Sequence, residues 1–364
     1  MARIQLENIS HSYQASSVPE EEKEYAVSNL DILWEDGSSN ALLGPSGCGK
    51  TTILNIISGL QQPSRGRILI DDQDVTALSP RKRRIAQVFQ FPVVYDSMNV
   101  FDNLAFPLRN QGTPEQEVRR KVGDVAEVLG LQGYLDNPPA KLNAAEKQKI
   151  SLGRGIIRED TAAVLLDEPL TVIDPKLKGS MRRQLREVQK DLKKTMIYVT
   201  HDQHEALTFA DDVTIVKDGR LVQKGSPEEL HSQPATPFIG YFIGSPGMNI
   251  LDCSLKDNRL EFENFSLALS RELASRLESH AVSYQMGIRP EFVRASLTPQ
   301  ENSVPFEVSV IENTGAYWVV TYVRESLRIK ARVPESMRVQ EGQEHHLSFP
   351  EEKINLFHNE QRVL

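Results

Sequence analysis

Residues Gly44 to Thr51 read G-P-S-G-C-G-K-T, a spacing of glycines around a lysine and a hydroxyl that suits the wrapping of phosphate. Gly44, Gly47 and Gly49 let the backbone curl so that its N–H groups converge on phosphate oxygens. Ser46 and Cys48 contribute the rest of the cradle, and the positive end of a following helix strengthens the field. Lys50 is placed to reach the outer phosphates, Thr51 to hold Mg²⁺, and Thr52 to carry the loop into its helix. Downstream, Asp167 and Glu168 close the apolar run Ala163 to Leu166, at the strand end where an open α/β sheet presents ligands. There Asp167 is expected to meet Mg²⁺ through its water shell, and Glu168 to orient or deprotonate a water that attacks the γ-phosphate. His201 follows a second apolar run, in V-T-H-D, at a place suited to sensing that phosphate. The chemistry expected is hydrolysis of a nucleoside triphosphate with Mg²⁺.

These residues need a scaffold, and the chain supplies its signals. Ala41-Leu42-Leu43 reads as a strand entering the loop, and Thr52 to Leu60 as the helix leaving it. Ile4 to Ile9 and Tyr25 to Leu33 alternate apolar and polar residues, as half-exposed strands do, and Arg67 to Ile70 is strand-like. Between Thr113 and Gly130, Val118, Val122, Val125, Ala126 and Leu129 recur at helical spacing. A long polar helix is predicted from Lys176 to Lys194, then a strand over Met196 to Val199. Strands alternating with helices predict a mostly parallel sheet covered on both faces. Beyond about Gly240 the texture changes to short alternating runs such as Leu260-Glu261-Phe262 and Phe306 to Val310, which predict a small β-rich domain. The division expected is an ATP-binding domain over 1–238, with a helical subdomain at about 91–157, and a second domain over 239–364.

Composition narrows the classes. At 364 residues two domains are the default. The net charge of −8 argues against a nucleic-acid partner. Runs such as Arg81 to Arg84 and Lys190 to Lys194 read as solvated faces or partner contacts. Two cysteines, Cys48 and Cys253, make no disulfide framework and suit the cytosol. No eighteen uncharged apolar residues run together, so the chain is not expected to span a membrane. His345-His346 reads as an exposed turn rather than a ligand pair.

Taken in order, these residues resemble the ATP-binding subunits of ABC transporters along essentially the whole chain. The resemblance implies an α/β P-loop ATPase core with a helical subdomain. It casts Tyr13 as the aromatic that stacks on adenine. Gln90, in V-F-Q, becomes the glutamine linking the Mg²⁺ site to a transmembrane partner. Asp174, in L-T-V-I-D, becomes the aspartate of a loop that crosses to the other subunit, and His201 the switch histidine. The aromatics Phe89, Phe91, Tyr95, Phe101 and Phe106 could line a groove for a permease helix. Near the carboxyl end, Phe242 to Asn249 (F-I-G-S-P-G-M-N) and Gly287 to Glu291 (G-I-R-P-E) resemble the regulatory domain of carbohydrate-uptake ATPases of the maltose and glycerol-3-phosphate importer type. In those proteins it is an oligonucleotide/oligosaccharide-binding-like (OB-like, TOBE-type) all-β fold. The resemblance further implies a peripheral protein on the cytoplasmic face of the cell membrane, two transmembrane permease subunits, and indirectly a solute-binding protein outside. The solute expected is a sugar, polyol or glycerol derivative.

One segment departs from that family. Where it has L-S-G-G-Q, this chain has Leu142-Asn143-Ala144-Ala145-Glu146. In the family's head-to-tail dimer this segment clamps the γ-phosphate held by the opposite subunit, the serine by its hydroxyl and the glycines by close backbone approach. Asn143 keeps a polar side chain with different reach, while Ala144 and Ala145 add bulk. Glu146 brings negative charge toward a polyanion; at an effective dielectric of about 20, a like-charge pair about 6 Å apart costs roughly 3 kcal/mol. A subunit's phosphate loop is completed by its partner's clamp, so the expectation is a heterodimer with a second ATPase bearing an intact signature, as in two-ATPase glycerol importers. A homodimer that tolerates the variant segment, and a soluble ABC-type ATPase outside transport, stand as the alternatives.

Overall fold

The computed structural model describes residues 2–15, 17–158, 160–277 and 283–364, and the chain divides into two compact units, Met1–Pro227 and Glu228–Leu364. In the first unit, the alternating opening residues form β1 (Ile4–His11), which pairs antiparallel with β2 (Val27–Trp34). Next come β3 (Ser39–Leu43), α1 (Lys50–Ser58), β4 (Arg65–Ile70) and β5 (Gln73–Asp74). A small sheet has the order β2-β1-β4-β5. Then follow β6 (Ile85–Val88), α2 (Val100–Asn110), α3 (Glu115–Leu129), α4 (Ala144–Ile156) and β7 (Ala163–Asp167). The unit continues with α5 (Pro175–Leu192), β8 (Thr195–Thr200), α6 (Gln203–Phe209), β9 (Asp212–Lys217) and β10 (Arg220–Gly225). The larger sheet runs β10-β9-β3-β8-β7-β6 and is parallel except for β10.

Every residue of β3 and β8 is buried, which is why Ala41 to Leu43 and Met196 to Val199 within them read as apolar runs rather than alternations. A core of Trp34, Leu30, Ile53, Ile57, Leu165 and Val199 joins the small sheet, α1 and the large sheet. Between β6 and β7, helices α2, α3 and α4 pack on one another. Gly153 permits the approach of α2 and α4, since a Cβ there would stand 2.5 Å from the Leu104 side chain.

The basic run 81–84 is a correction to the sequence reading. Arg81, Lys82 and Arg84 are exposed, but Arg83 is only 1% exposed. Its guanidinium donates from Nη1 to the carbonyls of Ile56 (2.6 Å) and Ile57 (3.0 Å), from Nε to Leu78 (3.0 Å) and from Nη2 to Thr76 (2.7 Å). The first two belong to the last turn of α1, where carbonyls run short of i+4 partners and carry the negative end of the helix dipole; that of Ile56 also accepts the Gly59 N–H. Arg83 therefore caps a core helix.

The second unit is built from antiparallel strands: β11 (Asn249–Lys256), β12 (Arg259–Glu261), β13 (Ser266–Ala268), β14 (Tyr284–Ile288) and β15 (Arg294–Ser296). These are followed by β16 (Val304–Asn313), β17 (Trp318–Arg324), β18 (Leu327–Val333), β19 (Glu344–Ser348), β20 (Ile354–His358) and β21 (Gln361–Arg362). One sheet has the order β13-β12-β11-β14-β20-β21 and the other β15-β19-β16-β17-β18. Their inner faces share a core including Met286, Phe306, Tyr322 and Leu356, the OB-like all-β plan expected. His345 corrects a second reading: it lies on β19 with no exposed surface, and its Nδ1 is 2.9 Å from the Tyr322 hydroxyl. Burial lowers its pKa below the ordinary histidine value, and His346 adds to the effect. Among the described residues, no helix is long and apolar enough to cross a membrane.

Candidate active site

The phosphate loop leaves β3, which lies between β9 and β8 near the middle of the large sheet. Two of its glycines are sterically required. A Cβ on Gly44 would stand 2.1 Å from the Val216 carbonyl oxygen, and one on Gly49, at φ +98°, would stand 2.5 Å from that of Ala26. Gly47, at φ +80°, faces open space, so only its conformation calls for glycine. Ser46 and Gly47 are exposed at the crown and Cys48 is buried; that burial raises the thiol pKa, with Lys50 opposing. Helix α1 begins at Lys50 with Gly49 as its N-cap, no side chain accepts from its first N–H groups, and its first turn carries no acid. Its positive end is thereby left open to an anion. Lys50 Nζ donates to the carbonyls of Gly44 and Pro45, each at 2.8 Å, which keeps the ammonium within the loop.

The acids sit beside this loop because β7 is separated from β3 only by β8. Burial raises the Asp167 carboxyl pKa above the ordinary range, Glu168 adds to the shift, and Lys50 opposes it. Glu168 lies at φ +44°, a turn uncommon for a residue with a side chain. Its N–H donates to the Val199 carbonyl at 3.0 Å. Its carboxylate receives the Thr171 hydroxyl at 3.2 Å and lies 3.0 Å from His201 Nδ1. Sequence spacing of thirty-three residues thus closes into one contact, because β7 and β8 are neighbours and end together.

Four more residues complete the site. Tyr13 is 64% exposed; its hydroxyl lies 3.0 Å from that of Thr52, and its ring meets His11 edge-on at 4.6 Å. The flat face is therefore held next to the start of α1 and open to a planar ring. Gln90 follows β6, whose Val88 pairs with Leu166 of β7, so it lies at the same sheet end as Asp167. Asp174 is exposed and caps α5, accepting the Lys176 N–H at 2.9 Å. Thr51 is exposed at the first turn of α1. Thr51, Gln90 and Asp167 together offer a hydroxyl, an amide carbonyl and a carboxylate, an all-oxygen set that fits a hard dication such as Mg²⁺.

The variant segment opens α4 with a chemistry opposite to that of α1. Asn143 Oδ1 accepts the Glu146 N–H and the Glu146 carboxylate accepts the Asn143 N–H, both at 2.9 Å. This reciprocal pair satisfies two donors of the helix start and sets a carboxylate at its positive end. Tyr134 also bonds Glu146, which raises the phenol's pKa. Ala144 is exposed and Ala145 half-buried.

Some residues of the site were not singled out from the sequence. Thr171 holds Glu168, while Glu205 and Lys178 surround the strand end that bears His201. Only Asp202, which caps α6 ahead of Glu205, gave a local hint of order there.

With this geometry in place, the likeness to known proteins is informative. The family described as ABC transporter matches residues 27–171, and the TOBE domain matches 286–357. The trehalose/maltose import ATP-binding protein MalK of Thermococcus litoralis is 39% identical over 347 residues, 91% of this chain and 93% of the relative. The sn-glycerol-3-phosphate import ATP-binding protein UgpC of Yersinia pestis is 36% identical over 358 residues, 98% and 97% of the two chains. Among solved structures, cbiO1 from Clostridium perfringens, part of the ABC transporter complex cbiONQ, has a TM-score of 0.58 at 27% identity and covers 63% of this chain and 90% of its own.

Proposed function

Because this chain belongs to the ABC transporter ATP-binding family, we propose that it is one of two different ATPases driving an importer for a sugar, polyol or glycerol-type solute. It is an ATP hydrolase, and its own phosphate loop is the principal hydrolytic site. The contrast between two helix starts carries this reading: α1 is open to phosphate, while α4, which in this family's dimers faces the opposite subunit's nucleotide, is closed by Asn143 and Glu146. A homodimer would pair two sound loops with two self-satisfied clamps. A heterodimer lets a partner with an intact signature complete this chain's loop.

In the proposed mechanism, Tyr13 stacks on adenine while Gly44 to Thr52 and the open end of α1 take the phosphates. Lys50 shifts from its two carbonyl partners to the β and γ phosphates. Glu168 orients the attacking water, and His201, in contact with its carboxylate, senses the terminal phosphate. Mg²⁺ would be held by Thr51, Asp167 and Gln90 and would supply charge neutralisation at the phosphates. Asp174 crosses to the partner ATPase.

The names of the relatives, which speak of trehalose/maltose and glycerol-3-phosphate import, support a small hydroxylated solute. An importer of this kind would include two permease subunits, an external solute-binding protein and a peripheral location for this chain at the cytoplasmic membrane face. A groove of about 790 Å³ lined by Phe89, Val93, Phe106 and Arg154 is the proposed seat of a permease helix. The second unit is proposed as regulatory.

The test is to purify this chain alone and compare its ATPase rate with that of the variant N143S/A144G/A145G/E146Q. Opening the clamp should raise the rate by about tenfold or more, since donors aimed at the γ-phosphate return. A wild-type chain that already turns over as fast as the variant would refute the reading.

A further inference from the structure

Glu205 is a buried carboxylate, 4% exposed, for which the hydrolytic steps above have no use. Such a group is tolerated only when its oxygens are satisfied, and here the donors come from two different places. Oε2 accepts the hydroxyls of Tyr198 (3.0 Å) and Thr200 (2.9 Å), both on β8, and Thr200 immediately precedes His201. The Thr200 oxygen in turn accepts the Asp202 N–H at 3.0 Å, which fixes the backbone on the far side of His201. Oε1 instead pairs with Lys178 Nζ at 3.4 Å. Lys178 belongs to the first turn of α5, and its own N–H donates to the carbonyl of Asp174 at 3.2 Å. One carboxylate therefore spans from the turn that carries Asp174 to the turn that carries His201.

We propose that Glu205 and Lys178 are positioning residues that tie the loop crossing to the partner ATPase to the histidine at the γ-phosphate, so that the docked partner holds His201 on Glu168 through turnover. The proposal rests on the roles given above to Asp174 and His201. Glu205 acts by holding Thr200 and, through Lys178, by making the His201 turn move with α5.

In the assembled two-ATPase complex, Lys178→Met should lower kcat for ATP by about tenfold while the KM for ATP stays within about twofold, because misalignment at the reacting centre leaves ground-state binding intact. Lys178→Arg, which keeps the ion pair, should return kcat to within about twofold of wild type. Adding Lys178→Met to Glu205→Gln should cost nothing further, as expected of residues that act through one link. A normal kcat for Lys178→Met, or a loss that Lys178→Arg does not repair, would overturn the proposal while leaving the site assignments standing. Wild-type hydrolysis by His201→Ala or Asp174→Ala would instead overturn those assignments and this link with them.

Discussion

At the scale of single residues, chemistry-bearing side chains were the legible part of this chain, because a phosphate loop or a strand ending in two acids declares itself within a few positions. What eluded sequence reading were charged and polar residues whose meaning depends on burial. Arg83 looked like one cation in a solvated run, yet its four carbonyl partners lie on α1 and on the turn at 76–78. Arg83→Met should destabilise the chain by about 3 kcal/mol, since buried carbonyls lose their donors; thermal unfolding with a midpoint unchanged from wild type would contradict this. His345 looked exposed because its neighbour His346 is polar and a strand's inward faces cannot be assigned without its partners. Its folded-state pKa is lowered from 6.5, so the unfolded chain binds the proton more readily. Stability should hold above that value and fall as pH drops through it. His345→Gln keeps a hydrogen-bonding side chain opposite Tyr322 but does not titrate. The variant should show a smaller loss of stability between about pH 7 and pH 5 than wild type, and parallel curves for the two proteins would count against the assignment.

At the scale of elements, the parallel sheet and its helices followed from periodicity, since β3, β7 and β8 each hold an apolar run, Ala41 to Leu43, Ala163 to Leu166 and Met196 to Val199, and α3 repeats its apolar residues every three or four positions. The start of α4 was legible only in part. The sequence identifies Asn143 and Glu146 as departures, and their charge and bulk predict a poor clamp. Their reciprocal hydrogen bonds appear only when the backbone is placed. By these bonds the two residues satisfy donors at the start of their own helix and set a carboxylate at its positive end. Asn143→Ala should therefore cost about 1 kcal/mol of stability, measured by denaturant unfolding. An unchanged midpoint would show that the cap contributes nothing. The link from Lys178 to Glu205 belongs to this scale too, for it joins the starts of α5 and α6, and no local pattern relates residues twenty-seven positions apart.

At the scale of the whole molecule, the chain combines a nucleotide unit with a β-rich unit; its compact units divide between Pro227 and Glu228, ahead of the change of texture after about residue 240 that the sequence displays. In the proposed assembly the groups that complete this phosphate loop lie on another polypeptide, and one sequence does not display them. The asymmetry proposed here makes the two nucleotide sites unequal by construction, with this chain's loop fast and its partner's loop slow. The most direct measurement is steady-state ATP hydrolysis by the purified transporter carrying Glu168→Gln in this chain, set against the same substitution at the counterpart glutamate of the partner ATPase. Near-complete loss from the first, by about 100-fold, with a modest loss from the second is the predicted result; equal losses from the two would contradict it.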